Sequence, residues 1–439
     1  MNITRICLSI TMIVVLFSAS ACGLIPPSGG AAGKVLQSQA KRISDPQVSP
    51  SDLQELVKGN NTFALNFYQR VRSEAGNIFF SPYSLSTALA MTYAGARGTT
   101  AEQMAQVLQF SLPQDQLHPA FNALDLQLGN EQQNAAGDDK AQPFQLDIAN
   151  QLWGQKEYSF LPEYLDLLQQ NYGAGLRLMD FVKDAEPSRL QINEWVSQKT
   201  HDKIKELIPA GGIIPATRLV LTNAIYFKAD WSFPFDKDST HDAPFTLLDG
   251  TQVNVSMMSF LRPQTLSVID GQGFKAVELP YVGDSVSMWV LLPAAGSFAD
   301  FEASLSEQKL AGILEQSQPV SVQVVLPKFE FTKEFSLNQQ LTDMGMPDAF
   351  CSGLADFSGM DGKGGLCIDQ VYHKAFVAVD EKGTEAAAAS AVVMLESSLP
   401  MPELEIVVDH PFIFLIRHKT SGSILFMGRV LDPRPASGS

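Results

Sequence analysis

The sequence predicts a single large domain of the α+β class. Residues with helical spacing dominate the first half of the chain, strand-like segments dominate the second half, and no regular alternation of strand and helix connects them. From Asp52 onwards no linker or low-complexity break interrupts the 439-residue chain, of which 45% is hydrophobic. We therefore expect one domain over residues 51–433, with residues 434–439 as a C-terminal tail.

Capping residues mark the predicted helices. The first opens after Ser51, and its apolar positions recur with helical spacing over residues 53–71. The second begins at Ser81 with a proline in its first turn, and the third begins at Thr99, which forms a capping box with Glu102. Two further helices are predicted at residues 162–172 and 187–200.

The predicted strands are apolar runs bounded by turn residues. Two of these runs flank Val282, Gly283 and Asp284, which favours a hairpin at that point. Strands are predicted at residues 145–154, 219–229, 274–281, 285–292, 320–326, 371–380, 404–408, 412–417 and 424–430.

Charge and motifs exclude several classes of function. The formal net charge of −16 disfavours nucleic acid, heparin-like polyanions and anionic membrane surfaces as partners. The sequence contains no nucleophile elbow, zinc-protease motif or phosphate-binding loop, and its six histidines do not have metal-ligand spacing. We therefore expect no enzyme, no cofactor and no metal.

The N-terminus resembles an export signal. Arg5 precedes an apolar run at residues 6–17, and small residues then lead to Cys22, as in a bacterial lipoprotein signal. Residues 1–21 are thus predicted to be a signal peptide of the lipoprotein type, with Cys22 as the lipidated residue of a prokaryotic protein in the cell envelope. The alternative is plain secretion to the extracellular space. Residues 22–50 are predicted to form a flexible tether because they are Pro-rich, small and non-periodic.

Two cysteines remain for the predicted domain. Cys351 and Cys367 could pair in an oxidising compartment, or they could stay as free, partly buried thiols. The sequence leaves both alternatives open.

An unusual segment follows the strand predicted at residues 371–380. Residues 381–399 read EKGTEAAAASAVVMLESSL, a long connection in which small residues give way to apolar ones. One interpretation is an Ala-rich helix, although Gly383 near its start and Val392 with Val393 disfavour it. The other is a loop able to become a strand, with Thr384 and every second residue after it on one face.

The same segment resembles the reactive-loop hinge of inhibitory serpins, and five other blocks resemble serpin segments in the same order. These blocks lie at residues 77–84 (NIFFSPYS), 221–228 (LTNAIYFK, with Trp231 after it), 371–375 (VYHKA), 409–415 (DHPFIFL) and 426–430 (FMGRV). The likeness extends over about residues 53–432. It implies a serpin fold with three β-sheets, about eight or nine helices and an exposed reactive-centre loop near the C-terminus.

The resemblance also implies a mechanism and a set of hinge residues. Serpins inhibit serine proteases as one-use suicide substrates: the protease cleaves the loop, forms an acyl-enzyme, and is trapped when the loop inserts into the central sheet. The implied partner is a serine protease, and the protein is expected to be a monomer. The residues that match the hinge are Glu381, Gly383, Thr384, Glu385, Ala386, Ala387, Ala388 and Ala389. A non-inhibitory serpin with a binding or structural role is the alternative.

The family's usual spacing from Gly383 places the cleaved bond between Ser397 and Ser398. A small residue before this bond suits elastase-like or subtilisin-like proteases, which have shallow primary pockets. The alternative bond lies between Glu396 and Ser397 and would require a protease that prefers glutamate.

Five other residues match buried positions of the family. Ser81, Ser84, Asn223 and His373 match the polar cluster called the shutter, which lies beneath the sheet that opens. Trp231 matches the aromatic residue at the breach, where the hinge enters the sheet. Without the resemblance, His373 and Trp231 would each be interpreted as ordinary core residues.

Overall fold

A computed structural model describes residues 34–134, 144–385 and 401–435 of the chain. The predicted signal peptide and Cys22 therefore lie outside the described residues. The described part contains mixed helices and strands around one large and one smaller hydrophobic core, which confirms the predicted α+β class.

The first sheet has seven strands in the order β1-β4-β3-β5-β14-β13-β12. Its strands are β1 (Lys34–Leu36), β3 (Gln145–Gln155), β4 (Leu176–Met179), β5 (Leu219–Asp230), β12 (Phe329–Ser336), β13 (Gln370–Val379) and β14 (Gly383–Thr384). The strands predicted at residues 145–154, 219–229 and 371–380 correspond to β3, β5 and β13 within one residue at each end. We call this sheet the main sheet.

The second sheet has ten strands. Nine of them follow the order β2-β17-β16-β10-β9-β8-β11-β7-β6, and β15 pairs in parallel with β11. They are β2 (Ile78–Phe80), β6 (Asp236–Thr246), β7 (Gln252–Ser259), β8 (Gln264–Gly271), β9 (Phe274–Pro280), β10 (Val286–Pro293), β11 (Gln318–Pro327), β15 (Leu404–Val407), β16 (Phe412–His418) and β17 (Ile424–Val430).

The number of sheets differs from the three that the resemblance implies. The strand β11 pairs with β8 over residues 318–322 and with β7 over residues 325–327. One long strand therefore joins two groups of strands by continuous hydrogen bonding, and the described residues form two sheets instead of three.

The described residues form ten α-helices, slightly more than the eight or nine expected. They are α1 (Pro50–Val71), α2 (Pro82–Tyr93), α3 (Gly98–Leu108), α4 (Gln114–Asn134), α5 (Pro162–Tyr172), α6 (Ala185–Lys199), α7 (Phe298–Ser304), α8 (Glu307–Leu314), α9 (Asn338–Met344) and α10 (Ser358–Asp361). None of them is long and apolar enough to cross a membrane.

Two helices show where capping motifs predict the first residue of a helix correctly and where they do not. Ser81 caps α2 as predicted, because its hydroxyl accepts a hydrogen bond from the backbone N–H of Ser84. The capping box predicted at Thr99 is wrong: α3 begins at Gly98, and its N-cap residue Arg97 makes no side-chain cap. The backbone N–H of Arg97 instead anchors this helix start to the carbonyl of Asp356.

The predicted flexible tether at residues 22–50 is corrected over its second half. Residues 34–36 form β1, which pairs antiparallel with β4 at the edge of the main sheet. Arg42 forms an ion pair with Asp125 of α4 at 2.5 Å and donates to Asn122. The edge of β4 would otherwise expose unpaired backbone groups, so a strand docks there and the described part of the folded domain includes residues 34–50.

Cys351 and Cys367 form a disulfide, with their Cα atoms 5.0 Å apart. This resolves the two alternatives left open by the sequence. The bond closes the loop that precedes β13, and the neighbouring residues Phe350 and Ile368 form a bridge beside it.

Candidate functional site

The site lies in the main sheet, at the place where the hinge meets β5 and β13. The lower parts of these two strands pair directly in parallel, from Val220 with Gln370 to Ile225 with Ala375. Higher up, β14 lies between them and pairs antiparallel with both, through Thr384 opposite Ala229 and Val379. The hinge residues Gly383 and Thr384 therefore already belong to the sheet.

Between these two regions lies a stretch without direct pairing, which we call the upper gap. Its sides are residues 226–228 of β5 and residues 376–378 of β13. The sheet is thus closed below and parted above, and the hinge occupies the top of the parted region.

Gly383 is at the point of closest approach between the hinge and β5. A Cβ atom at this position would lie 2.0 Å from the carbonyl oxygen of Ala229 and 2.8 Å from the Cα of Asp230. Both obstacles are backbone atoms of a buried strand, so no side chain can be accommodated there. The glycine is required for close packing.

Thr384 points into the core of the protein, where it is 1% exposed. Its hydroxyl hydrogen-bonds with the hydroxyl of Tyr281 at 2.6 Å. The ring of Tyr281 stacks on Trp231 at a centroid distance of 4.4 Å, and the Trp231 indole N–H donates to the carbonyl of Asp380 at 3.0 Å. Trp231 therefore contacts the turn that leads into the hinge.

Glu381 anchors that turn from the other side. Its carboxylate forms an ion pair with Lys328 at 2.9 Å and accepts a hydrogen bond from Thr240 at 3.0 Å. Burial on its own would raise the pKa of the Glu381 carboxyl, but the hydrogen bonds from Lys328, the backbone and Thr240 lower it overall. Glu381 therefore stays ionised, and it ties the turn to β6 and to the residue that connects β11 with β12.

The four residues of the predicted shutter lie together below the upper gap, fully buried. His373 Nδ1 and the amide oxygen of Asn223 are 2.5 Å apart, and the Asn223 amide donates to the hydroxyl of Ser84 at 2.7 Å. The hydroxyl of Ser81 donates to the carbonyl of Leu425 in β17. The network joins β13, β5, α2 and β17.

His373 is neutral in this network. Burial lowers its pKa to about 3, although the contact with Asn223 acts in the opposite direction. The backbone N–H of Ser81 donates to Nε2, so Nδ1 carries the proton and donates to Asn223. Because Asn223 and His373 are directly opposite each other on β5 and β13, their hydrogen bond spans the place where the sheet must open.

Asn150 completes the shutter and was missed from the sequence. It lies opposite Asn223 on β3, accepts from the hydroxyl of Ser84 at 3.0 Å, and donates to the backbone carbonyl of Ser84. The available signal was an asparagine within a predicted strand, where asparagine is normally depleted.

The remaining predicted residues lie outside the described part of the chain. These are the hinge residues Ala386 to Ala389 and the candidate bond residues Glu396, Ser397 and Ser398. Among the residues that the structure does describe, no cluster of histidine, cysteine or carboxylate side chains is arranged to hold a metal ion.

Comparison with known proteins identifies the family. A profile of the family described as "Serpin (serine protease inhibitor)" matches residues 58–433. The chain belongs to the serpin family. The family description agrees with the function class predicted from the hinge.

Curated relatives of this serpin align over most of their length. It is 39% identical to the leukocyte elastase inhibitor of Xenopus tropicalis over 388 residues, which cover 87% of this chain and 100% of the relative. The human leukocyte elastase inhibitor is also 39% identical with the same coverage. An uncharacterized serpin-like protein of Thermococcus kodakarensis is 39% identical over 86% of both chains.

Solved structures of serpins share its fold. The native state of the thermophilic serpin tengpin superposes with a TM-score of 0.79 at 26% identity, covering 91% of this chain and 99% of tengpin. Human thyroxine-binding globulin in complex with its ligand superposes with a TM-score of 0.75 at 30% identity, covering 88% of this chain and all of that one.

Proposed function

We propose that this serpin inhibits a serine protease as a one-use substrate whose cleaved loop inserts between β5 and β13. The observation that carries the proposal is the arrangement of the main sheet, in which the hinge is seated between β5 and β13 at the top and these two strands pair directly with each other below it. Insertion would extend β14 downwards through the upper gap. The protein would be consumed by each protease molecule, so it is proposed not to be an enzyme.

The register of β14 specifies where the inserted residues would lie. Each further residue of the hinge faces one residue earlier on both β5 and β13. Ser390, six residues after Thr384, would therefore lie between Asn223 and His373, on the same face as both. Insertion would break the hydrogen bond between these two side chains and supply a hydroxyl as a new partner.

Insertion is favoured by the pairing that it creates. The direct contact of β5 with β13 is parallel, whereas β14 is antiparallel to both strands. An inserted strand would replace one parallel ladder by two antiparallel ladders, which are slightly more stable per residue. The uncut protein would thus be metastable with respect to the inserted form.

The proposed bond lies between Ser397 and Ser398, with Glu396 and Ser397 as the alternative. Relatives at 39% identity are named leukocyte elastase inhibitors, which supports an elastase-like target. A subtilisin-like protease would also accept a small residue before the bond.

Protease challenge tests the proposal. Mixing the protein with pancreatic elastase or subtilisin should give a complex that survives SDS and migrates near the sum of the two masses, less the released fragment. Mass spectrometry of that fragment should show an N-terminus at Ser398. If elastase and subtilisin both remain active and only cleaved serpin accumulates, the trapping proposal is wrong for both of these enzymes.

We also propose that the protein is an exported prokaryotic serpin, monomeric and lipid-anchored through Cys22. The basic start, the apolar run and the small residues before Cys22 support this. Expression in a bacterium fed an alkyne-tagged fatty acid should label the wild type but not the variant Cys22→Ala. Absence of label in exported wild-type protein would instead indicate plain secretion.

A further inference from the structure

Glu385, the residue after β14, has a strained backbone. Its φ angle is +52°, in the left-handed region that residues other than glycine rarely adopt. Its N–H still donates to the carbonyl of Ala378 at 2.7 Å, so the residue holds its place in the ladder with β13. The Glu385 side chain lies at the upper gap, beside Tyr226 of β5.

The Glu385 side chain is clamped in that position. Its carboxylate forms an ion pair with the ammonium of Lys203 at 2.8 Å, and the same ammonium lies 4.9 Å from the ring centroid of Phe376 on β13. On β5, burial raises the pKa of the Tyr226 hydroxyl, and the neighbouring Glu385 carboxylate raises it further. Phe376 and Tyr226 lie on opposite sides of the upper gap, so the ion pair between Glu385 and Lys203 spans it.

The backbone of Lys203 lies in a turn that is fixed by its neighbours. It follows α6 in a turn where His201 and Asp202 both have positive φ angles, and the hydroxyl of Ser197 donates to the Asp202 carboxylate at 2.8 Å. The next residue, Ile204, is 1% exposed. The backbone of Lys203 is therefore fixed, which limits the entropy lost when its side chain is held by Glu385.

The ion pair with Lys203 does not satisfy both oxygens of the Glu385 carboxylate. Its second carboxylate oxygen is buried without a hydrogen-bond partner among the described residues. Together with the positive φ angle, this places two unfavourable features on one residue, and the contact with Lys203 offsets them.

A second lysine is placed to receive the carboxylate after insertion. If Glu385 became extended, it would lie opposite Lys228 of β5, because Thr384 already lies opposite Ala229. Directly opposite residues of antiparallel strands share a face, and opposite charges there are stabilising. Lys228 forms no ion pair with any residue that the structure describes.

We propose that Lys203 and Glu385 form a stop that holds the uncut hinge at two inserted residues, and that Lys228 takes over the Glu385 carboxylate when insertion proceeds. The proposal rests on the loop insertion proposed above. Lys203 and Lys228 are positioning residues with opposite effects: the first retards insertion of the uncut loop, and the second favours it.

The rate at which the uncut protein inserts its own loop tests the roles of Lys203 and Lys228. Purified protein is incubated at the highest temperature at which it does not unfold, and samples are assayed for denaturant resistance with the chain intact on SDS gels. Lys203→Met should convert roughly three- to tenfold faster than wild type, as expected for the loss of a half-buried ion pair. Lys228→Met should convert more slowly than wild type, and Lys203→Arg should restore the wild-type rate.

The control is Lys205→Met, which removes an exposed lysine two residues away that forms no ion pair with the described residues. Its conversion rate should equal that of wild type. Equal rates for Lys203→Met and Lys205→Met, or changes of the same sign for Lys203→Met and Lys228→Met, would overturn the stop. Failure of wild type to gain resistance even after loop cleavage would instead refute the proposed insertion itself.

Discussion

At the scale of single residues, the site depends on positions that accept only certain residue types. Gly383 lies against the backbone of β5, and Thr384 lies in a buried contact with Tyr281. Neither contact could be read from the sequence, because both partners are far away along the chain. What the sequence did reveal was the residue type: small side chains spaced so that alternate ones can enter the core.

Thr384→Arg tests the assigned face of the hinge. An arginine here would bring an unpaired charge into a site that is 1% exposed, at a cost of several kcal/mol. The loop should then be cleaved without trapping, and the moles of serpin needed to inactivate one mole of protease should rise about tenfold or more. Ala387→Arg is the matched control, because residue 387 would lie on the opposite face of the inserted strand, between Tyr226 and Phe376, where an arginine should impair trapping far less than at Thr384. Equal behaviour of the two variants would show that the faces are assigned wrongly.

Two other functional residues could not be identified from the sequence, and the reason is physical. Asn150 and Lys203 acquire their roles only when β3 and the turn after α6 are brought beside β5 and the hinge. Their local sequences look like an ordinary strand and an ordinary charged turn. Long-range contacts of this kind leave no periodic signal in the sequence.

At the scale of elements, strands with strong apolar patterns were predictable, whereas the 21-residue helix α4 and the shortest strands were not. The runs that became β5 and β13 have strong apolar patterns, whereas β1 and β14 have three and two residues. Such short strands are stabilised by the edge or gap that they fill, not by their own propensity. The predicted tether failed for this reason.

Removing the docked N-terminal segment should weaken the main sheet at its edge. A chain that begins at Asp45 loses β1 and the ion pair between Arg42 and Asp125, whereas a chain that begins at Lys34 keeps both. We expect the shorter chain to be less stable by about 1–3 kcal/mol. Urea unfolding of the two chains measures this, and identical midpoints would show that the docked segment contributes nothing.

Two buried histidines connect the elements and make stability depend on pH. Burial lowers the pKa of His373 to about 3 and that of His118, between α4 and α5, to about 4, whereas in the unfolded chain both titrate near 6.5. The unfolded state therefore binds more protons below pH 6.5. Stability is complete above that value and falls as the pH decreases towards 4, by about 1.4 kcal/mol per pH unit for each histidine.

The variant His118→Phe separates the two contributions, because it keeps the aromatic contacts with Tyr93 and Tyr172. Urea midpoints measured between pH 7 and pH 4.5 should fall less steeply for this variant than for wild type, with the remaining slope due to His373 and to carboxyls such as Glu381 whose pKa is lowered in the folded state. Parallel profiles would contradict the assignment of a neutral, buried His118.

At the scale of the whole molecule, the main sheet is closed below and parted above, and the proposed insertion would add one more strand to it. Parallel contact between β5 and β13 would give way to antiparallel contact on both sides of an inserted loop. The fold class and the positions of β3, β5 and β13 along the chain followed from the sequence. The merging of the second sheet through β11 did not, because it depends on one strand that pairs with different neighbours at its two ends.

Thermal unfolding before and after a single cut in the reactive loop tests the insertion most directly. The protein is cleaved within residues 386–400 by a protease that it does not trap, the cut is located by mass spectrometry, and both forms are heated under identical conditions. Insertion predicts that the cleaved form unfolds at a temperature higher by tens of degrees, although a peptide bond has been lost. An unchanged or lower unfolding temperature would contradict the proposal that the loop becomes a strand of the main sheet.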